Sequence, residues 1–521
     1  MNATRQRILW ADDEIDLLRP HVLYLEGKGY SVTTVANGED ALAMLSDESF
    51  DVVLLDEQMP GMGGLRTLEA LRETAPQTPV IMITKSEEEH IMDEALGRQI
   101  TDYLIKPVNP IQIWLACKKV FESEQLVRNQ KTRDYVNEFN QIREVRHGKL
   151  DWEDWLELAQ HLASLDLELS TTDQSLYQSH QDEKAEINRE FARFVEGSYT
   201  RWVLLPPEAR PPLSTDVATK FVLPHLRAGR RVVFIVIDCM RLDQWLALEP
   251  LLTPYFQIKR DLYYSILPTA TPYSRNAIFS GLFPLQIART HPDWWLENIG
   301  NETGKNRYEK ALFAKLLERE GLHPEGLRYL KVHNADEAAD LKKKVLSQLT
   351  AEMLALVVNF LDLLSHGRSE SELLLELAPH EQAFRALLVQ WFIHSSLLEI
   401  LKLYAKQDVV VIITTDHGSV QCKKSSLVYG NRDTSTNVRY KFGDNLMCEE
   451  REALHIKRPQ DYMLPIDSLT KNYILARENY FFVYPTNFHH YERQFRGSFQ
   501  HGGISVEEMI LPVATLQPRP A

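Results

Sequence analysis

Short apolar runs that end in a charged or hydroxyl group constrain this chain most. Asp12 and Asp13 directly follow the run Ile8-Leu9-Trp10-Ala11, and Asp56 closes Phe50-Asp51-Val52-Val53-Leu54-Leu55-Asp56. Thr84 closes Val80-Ile81-Met82-Ile83-Thr84, and Lys106 closes Asp102-Tyr103-Leu104-Ile105-Lys106. Continuous apolar runs separated by helix-length stretches fold as parallel strands buried on both faces. The carboxyl ends of such strands are where open parallel sheets build their sites.

The residue types at those ends define a chemistry. The carboxylates of Asp12, Asp13 and Asp56 can hold one Mg²⁺, a hard ion that prefers oxygen ligands and keeps water for a phosphoryl donor to replace. Asp56 would be the nucleophile that forms an aspartyl phosphate. Lys106 would pair with the phosphoryl group and the Thr84 hydroxyl would hydrogen-bond to it. With Pro60 and Gly64 after Asp56, and Lys106-Pro107, these residues resemble the response-regulator receiver domain over residues 1–120. The resemblance implies a flavodoxin-like (βα)5 fold, a sensor histidine kinase as partner, and an inward movement of Tyr103 on activation. Lys85 departs from the family, which usually has a small residue after the hydroxyl.

A chain of 521 residues is too long for one core and predicts about three domains. At 44% hydrophobic and 25% charged it reads as globular rather than disordered. The net charge of −15 argues against a general nucleic-acid coat, which needs clustered Lys and Arg. Cys117, Cys239, Cys422 and Cys448 lie far apart with no CxxC spacing, so they read as reduced thiols rather than a zinc ribbon or disulfide framework. The N-terminus shows no basic-then-apolar signal and no uncharged apolar run has the length of a membrane span. Both predict a cytoplasmic protein without membrane insertion.

Residues 121–205 are rich in Leu, Glu, Gln, Lys and Arg, with no Pro between Ile111 and Leu205. Trp152, Trp155, Leu156, Leu158 and Ala159, then Leu162, Leu165 and Leu167, recur at helical spacing and predict an amphipathic helical bundle. It would serve as a packed spacer, or as a signalling element that carries the receiver's state or forms a dimer seam. Pro206-Pro207 and Pro211-Pro212 break the pattern, so a third domain opens at residue 206.

In residues 206–521 the strand-end theme returns. Val232-Val233-Phe234-Ile235-Val236-Ile237 runs into Asp238, and Val409-Val410-Val411-Ile412-Ile413-Thr414-Thr415 runs into Asp416-His417-Gly418. Thr271 lies in Pro268-Thr269-Ala270-Thr271-Pro272, Asp362 and His366 are four apart, and His501 opens His501-Gly502-Gly503. Mixed carboxylate and imidazole ligands suit Zn²⁺ or Mn²⁺ better than Mg²⁺. Two such clusters suggest a two-metal phosphoryl-transfer centre. Pro272 favours the first helical position, which would make Thr271 an N-cap beside unpaired amides that attract phosphate. Thr269 is the competing nucleophile. Lys424, Asn431, Arg432 and Arg439, interleaved with Tyr429 and Tyr440, are candidates to hold a phosphate-linked nucleobase or to form a solvated basic loop. Arg241, three residues after Asp238, is a further candidate phosphate contact, with a salt bridge to Asp243 as the alternative.

The order Asp, Thr, Asp-x-x-x-His, Asp-His, His over residues 230–521 resembles the alkaline phosphatase superfamily and, within it, the PglZ-domain proteins. That resemblance implies an alkaline-phosphatase-like α/β domain holding two Zn²⁺. Asp238, Asp416, His417 and Thr271 would hold one, and Asp362, His366 and His501 the other. Thr271 would attack phosphorus, and the phosphothreonine would then be hydrolysed. The whole chain resembles the PorX-type response regulators associated with type IX secretion. It is therefore expected to be a response regulator whose phosphorylation controls a zinc-dependent phosphodiesterase acting on nucleotides or oligonucleotides, with dimerisation on phosphorylation. The alternative is a contact regulator that binds a sigma factor or secretion component. No helix-turn-helix with a basic recognition helix is evident.

Overall fold

Strand alternation organises the first of two compact units, residues 1–143. In the computed structural model, which describes residues 5–76, 78–85, 100–121, 150–169, 174–295, 306–332, 335–370, 376–430, 437–466, 468, 470–486 and 488–519, this unit holds a parallel five-stranded sheet. Its strands are β1 (Arg7–Ala11), β2 (Ser31–Val35), β3 (Val52–Asp56), β4 (Val80–Thr84) and β5 (Asp102–Ile105), in the order β2-β1-β3-β4-β5. Neighbouring side chains point to opposite faces. Ile8, Trp10, Val52, Leu54, Ile81 and Ile83 thus pack with Val22 and Leu25 of α1 (Arg19–Gly27), and with Ile113, Cys117 and Val120 of α4 (110–121). On the other face Leu9, Ala11, Val53, Leu55, Val80 and Met82 pack with Ala41 of α2 (Gly38–Asp47) and with Leu68 and Leu71 of α3 (Gly64–Thr74). Gly64 is required by the close start of α3, since a Cβ there would lie 2.3 Å from the Asp56 carbonyl oxygen.

The second unit comprises residues 144–521. Its main sheet contains β6 (Val232–Ile237), β7 (Phe256–Tyr264), β8 (Leu327–Val332), β9 (Met353–Val358), β10 (Val410–Thr414) and β14 (Ile510–Pro518), in the order β7-β14-β10-β6-β9-β8. Strands β10, β6, β9 and β8 are parallel, and β14 is antiparallel to both β7 and β10. Parallel strands deliver their carboxyl ends to one edge. Asp238 follows β6, Asp416 follows β10, and Asp362 lies in α10 (Phe360–Glu370), directly after β9. A small antiparallel sheet, β11 (Tyr440–Asp444), β12 (Ala453–Ile456) and β13 (Lys471–Ala476), is ordered β11-β13-β12.

The helices α5 (Trp152–Leu169) and α6 (Gln174–Trp202) belong to this second unit. An aromatic cluster joins them to the main sheet. Trp155 meets Phe191 at 5.1 Å between ring centroids, and Trp202 and Phe191 meet Tyr264 of β7 at 5.1 and 6.3 Å. On one face of the main sheet pack α7 (Leu242–Leu248) and α11 (Glu381–Ile393), and on the other face α8 (Thr271–Ser280) and α9 (Glu309–Arg319). Among the described residues no single helix is long and apolar enough to cross a membrane. One bent pair of helices, Glu381–Ile393 and Ser396–Tyr404, passes that test only jointly, and both contribute buried side chains to the core.

Candidate phosphoacceptor and metal centres

In the first unit the strand-end residues converge. Asp12, Asp13 and Asp56 each present an oxygen within 4.8 Å of the others. Asp12 and Asp56 are buried, whereas Asp13 is exposed. Lys106 Nζ reaches Asp12 Oδ2 at 3.0 Å and Asp56 Oδ2 at 3.1 Å. The Thr84 hydroxyl donates to Glu57 Oε2, and Tyr103 is exposed. Burial, Asp12 and Asp13 push the Asp56 carboxyl up to about 6 against the pull of Lys106. Crowded carboxylates with one amine between them fit a divalent cation. Mg²⁺ binding needs Asp56 ionised, so its affinity is expected to fall as pH drops through about 6. Fluorescence titration at pH 5 and pH 7.5 should show binding about tenfold weaker at the lower pH, where only about a tenth of Asp56 would be ionised.

In the second unit Asp238, Asp416 and His417 are buried and form a group whose ligand atoms also lie within 4.8 Å of one another. The His417 ring is oriented by its Nδ1, 3.1 Å from the Gly418 carbonyl oxygen, which as acceptor makes Nδ1 the protonated nitrogen. That leaves Nε2 facing the Thr271 hydroxyl at 2.9 Å and Asp238 Oδ1 at 3.5 Å. Asp416 Oδ2 is buried with no hydrogen-bond partner. Burial and Asp238 push this carboxyl up to about 7, while His417 and Arg275 pull it down. A buried carboxylate oxygen without a hydrogen bond, beside a second carboxylate and an imidazole nitrogen, fits a bound cation. His501 stacks on His417 with centroids 4.0 Å apart and holds Nε2 3.6 Å from Asp362 Oδ1. His366 lies on α10, four residues after Asp362, and its side chain is outside the described ones.

The two threonines divide cleanly. Thr269 is fully buried; its hydroxyl donates to the Gly503 carbonyl at 2.7 Å and accepts from Gly502 N at 3.2 Å. It ties the segment before Thr271 to the segment after His501. Only the half-buried Thr271 hydroxyl faces His417 and Asp238. The expected cap is displaced by one residue. Ala270 has the extended conformation of the N-cap and Thr271 takes the first helical position of α8, with Pro272 second.

Arg275, which the sequence reading missed, is buried one helical turn after Thr271. Its guanidinium bonds Asp238 Oδ2 and Glu309 Oε1 and lies 3.6 Å from Asp416 Oδ2. Glu309 also meets Tyr329 and, at 3.3 Å, Lys331 Nζ. Burial opposes ionisation of Asp238, yet Arg275 and His417 outweigh it and hold the carboxyl below its ordinary range. With Oδ2 occupied by Arg275, Asp238 has Oδ1 left to turn toward Thr271 and His417.

Two expected substrate contacts are corrected by burial. Arg241 is buried and bonded to both Asp243 oxygens and, at 3.1 Å, to Glu381 Oε1. Arg439 is fully buried, and its guanidinium bonds both oxygens of Glu508. A buried guanidinium survives only with carboxylate partners, and these partners occupy both side chains. Arg241→Met is expected to lower unfolding free energy by about 3–5 kcal/mol, because Asp243 and Glu381 lose a buried counter-ion; urea denaturation would read the loss. Lys424 stays partly exposed, 5.2 Å over the Tyr480 ring and 3.7 Å from Glu478. Asn431 and Arg432 lie outside the described residues.

Three family models match in succession. The response regulator receiver domain matches residues 8–118, the PorX response regulator linker domain residues 125–203, and the BREX system PglZ alkaline phosphatase-like domain residues 217–516, more than half the chain. Among curated proteins, the alginate biosynthesis transcriptional regulatory protein AlgB of Pseudomonas aeruginosa is 37% identical over 120 residues, 23% of this chain and 27% of that protein. The transcriptional regulatory protein CpxR of Escherichia coli is 37% identical over 130 residues, 25% of this chain and 54% of that protein. The chain thus spans about half the length, or less, of these relatives. Among solved structures, the chemotaxis protein CheY4 of Vibrio cholerae is 30% identical, with 22% of this chain and 99% of that chain covered at a TM-score of 0.22.

Proposed function

Because the chain belongs to the PorX-type response regulators, in which a receiver precedes a PorX linker and a PglZ alkaline phosphatase-like domain, we propose that phosphorylation of Asp56 controls a zinc-dependent phosphodiesterase centred on Thr271. Its substrates are nucleotides or oligonucleotides, its phosphoryl source is a sensor histidine kinase, and its output is control of type IX secretion from the cytoplasm. The observation that carries the enzymatic reading is the Thr271 hydroxyl, 2.9 Å from His417 Nε2 and beside the buried carboxylates of Asp238 and Asp416.

In the receiver, Asp12, Asp13 and Asp56 would hold Mg²⁺, which neutralises the incoming phosphoryl group. Lys106, already between Asp12 and Asp56, would pair with the phosphoryl oxygens. Thr84 would exchange its bond to Glu57 for one to the phosphoryl group, and Tyr103 would leave its exposed position. The modified receiver would then dimerise.

In the metal domain, Asp238, Asp416, His417 and Thr271 would hold one Zn²⁺, and Asp362, His366 and His501 the second. The metals would supply positive charge to the phosphorus oxygens and lower the pKa of the Thr271 hydroxyl. Thr271 would then lose its hydroxyl proton to solvent and attack phosphorus. The P–O bond to the leaving alcohol would break with its oxygen taking a proton from water, and a further water would hydrolyse the phosphothreonine and return a proton to Thr271. His417, fixed through Nδ1, and Asp238, fixed by Arg275, keep their remaining ligand atoms on the Thr271 side. The preference for diesters rests on the resemblance and on exposed Lys424 and Tyr429.

Elemental analysis alongside hydrolysis of bis-p-nitrophenyl phosphate and p-nitrophenyl phosphate tests the reading. The expected result is about two zinc ions per chain and faster turnover of the diester. Absence of metal and of turnover, even with zinc supplied, would favour the contact regulator of a sigma factor or secretion component.

A further inference from the structure

We propose that α6 is part of the frame of the reaction centre: Lys184, Asn188 and Tyr199 set the two loops that carry His501 and Thr271, so a displacement of this helix changes turnover. The inference rests on the assignment of Thr271 and His501 to the site, and extends it to a helix of the PorX linker segment, residues 125–203.

Spacings of four and eleven residues place Lys184, Asn188 and Tyr199 on one face of α6. The Tyr199 hydroxyl, fully buried, accepts a hydrogen bond from Leu267 N at 2.9 Å, four residues before Thr271. Asn188 bonds the other loop twice: its Oδ1 accepts from Val506 N at 2.7 Å and its Nδ2 donates to Glu507 Oε2 at 2.9 Å. Lys184 adds an ion pair to Glu507 at 3.1 Å, with Asp166 of α5 at 2.7 Å on its other side. Along a helix the two anchor points, Asn188 and Tyr199, lie about 16 Å apart. The same helix therefore grips both loops.

From those anchors the contacts continue to the ligands. Gly418 N, next to His417, donates to the Glu508 carbonyl at 3.2 Å, and a Cβ on Gly418 would lie 1.9 Å from the Glu507 carbonyl oxygen. Glu508 Oε1 accepts from Gly503 N at 2.9 Å, and the Gly503 carbonyl accepts from Thr269. A helix that only filled space would bury apolar area against the sheet. Here it also ends its polar groups on the backbone and carboxylate of the segments that precede Thr271 and follow His501, and the second of these in turn holds Gly418 beside His417. Misplacement of reacting groups by about 1 Å can lower a rate by about a hundredfold, and loss of an outer partner of a metal ligand weakens metal binding by about 10–100-fold.

The test uses the full chain with Tyr199→Phe, which removes one oxygen and keeps the ring, and Asn188→Ala. Arg193→Ala, at an exposed position of α6, is the control. Three quantities are measured: kcat and KM with bis-p-nitrophenyl phosphate, zinc affinity by chelator competition, and amide hydrogen exchange. Expected are a kcat about tenfold lower or less at unchanged KM in both variants, and zinc binding about tenfold weaker in Asn188→Ala. Exchange should rise locally, over residues 265–270 in Tyr199→Phe and 501–508 in Asn188→Ala. Exchange and zinc affinity remain readable if the chain turns over no diester, so a failure of the enzymatic reading is distinct from a failure of this one. Values equal to Arg193→Ala in both variants would overturn the proposal, as would an exchange increase spread evenly over the second unit.

Discussion

Thr271→Ala is expected to lower kcat for bis-p-nitrophenyl phosphate by about a thousandfold or more, which is about 4 kcal/mol of barrier. The variant loses a hydroxyl and a methyl group from the first position of α8. Alanine is the best helix former, so the local fold should persist and the loss should report chemistry. The nearby Thr269 hydroxyl does not substitute for it. Thr269 is two residues away in sequence, but its oxygen is committed to Gly503 and Gly502 in the buried link between the two loops. Zinc should stay bound through the carboxylates and imidazoles, at somewhat lower affinity where Thr271 contributed. Elemental analysis of the variant separates loss of the nucleophile from loss of metal. Equal turnover by wild type and variant would remove Thr271 from its role.

The elements that position Thr271 and its neighbours were readable from the chain to different depths. Asp12, Asp56, Thr84 and Lys106, like Asp238 and Asp416, stand at the ends of continuous apolar runs, a local signal that survives folding because parallel strands end on one edge. Arg275 carried no such signal. It resembles any polar residue one turn into a helix, and its meaning depends on Glu309, 34 residues onward. Arg439 misled for the same reason in reverse. A basic residue among aromatics reads as exposed until Glu508, 69 residues away, is brought against it. Lys184 and Asn188 on α6 meet Glu507 across more than three hundred residues. Periodicity shows which face of an element is buried, but not which distant charge will be buried with it.

Arg275→Met is expected to produce a large stability loss and to make the second unit depend on zinc. Arg275 bonds Asp238 and Glu309 and approaches Asp416, all three carboxylates being buried. Removing it leaves Asp238 with only the His417 imidazole beside it, and Glu309 with Lys331 and Tyr329. Breaking a buried pair in this way costs about 3–5 kcal/mol. Bound metal would supply positive charge to Asp238 and Asp416, so zinc should restore much of the loss. Chelator should then lower Tm more in the variant than in wild type. The pH dependence of that chelator effect follows from Asp416, whose carboxyl is pushed up to about 7 by burial and Asp238. A carboxyl with a raised folded-state pKa contributes stability at low pH and loses it as pH rises toward that value. Metal-free protein should therefore weaken between pH 5 and pH 8, and zinc should stabilise it more at pH 8 than at pH 5. Thermal unfolding of wild type and Arg275→Met with zinc or chelator, at both pH values, checks the sign and the order. A chelator effect equal in the two proteins would show that Arg275 and the metal do not share Asp238.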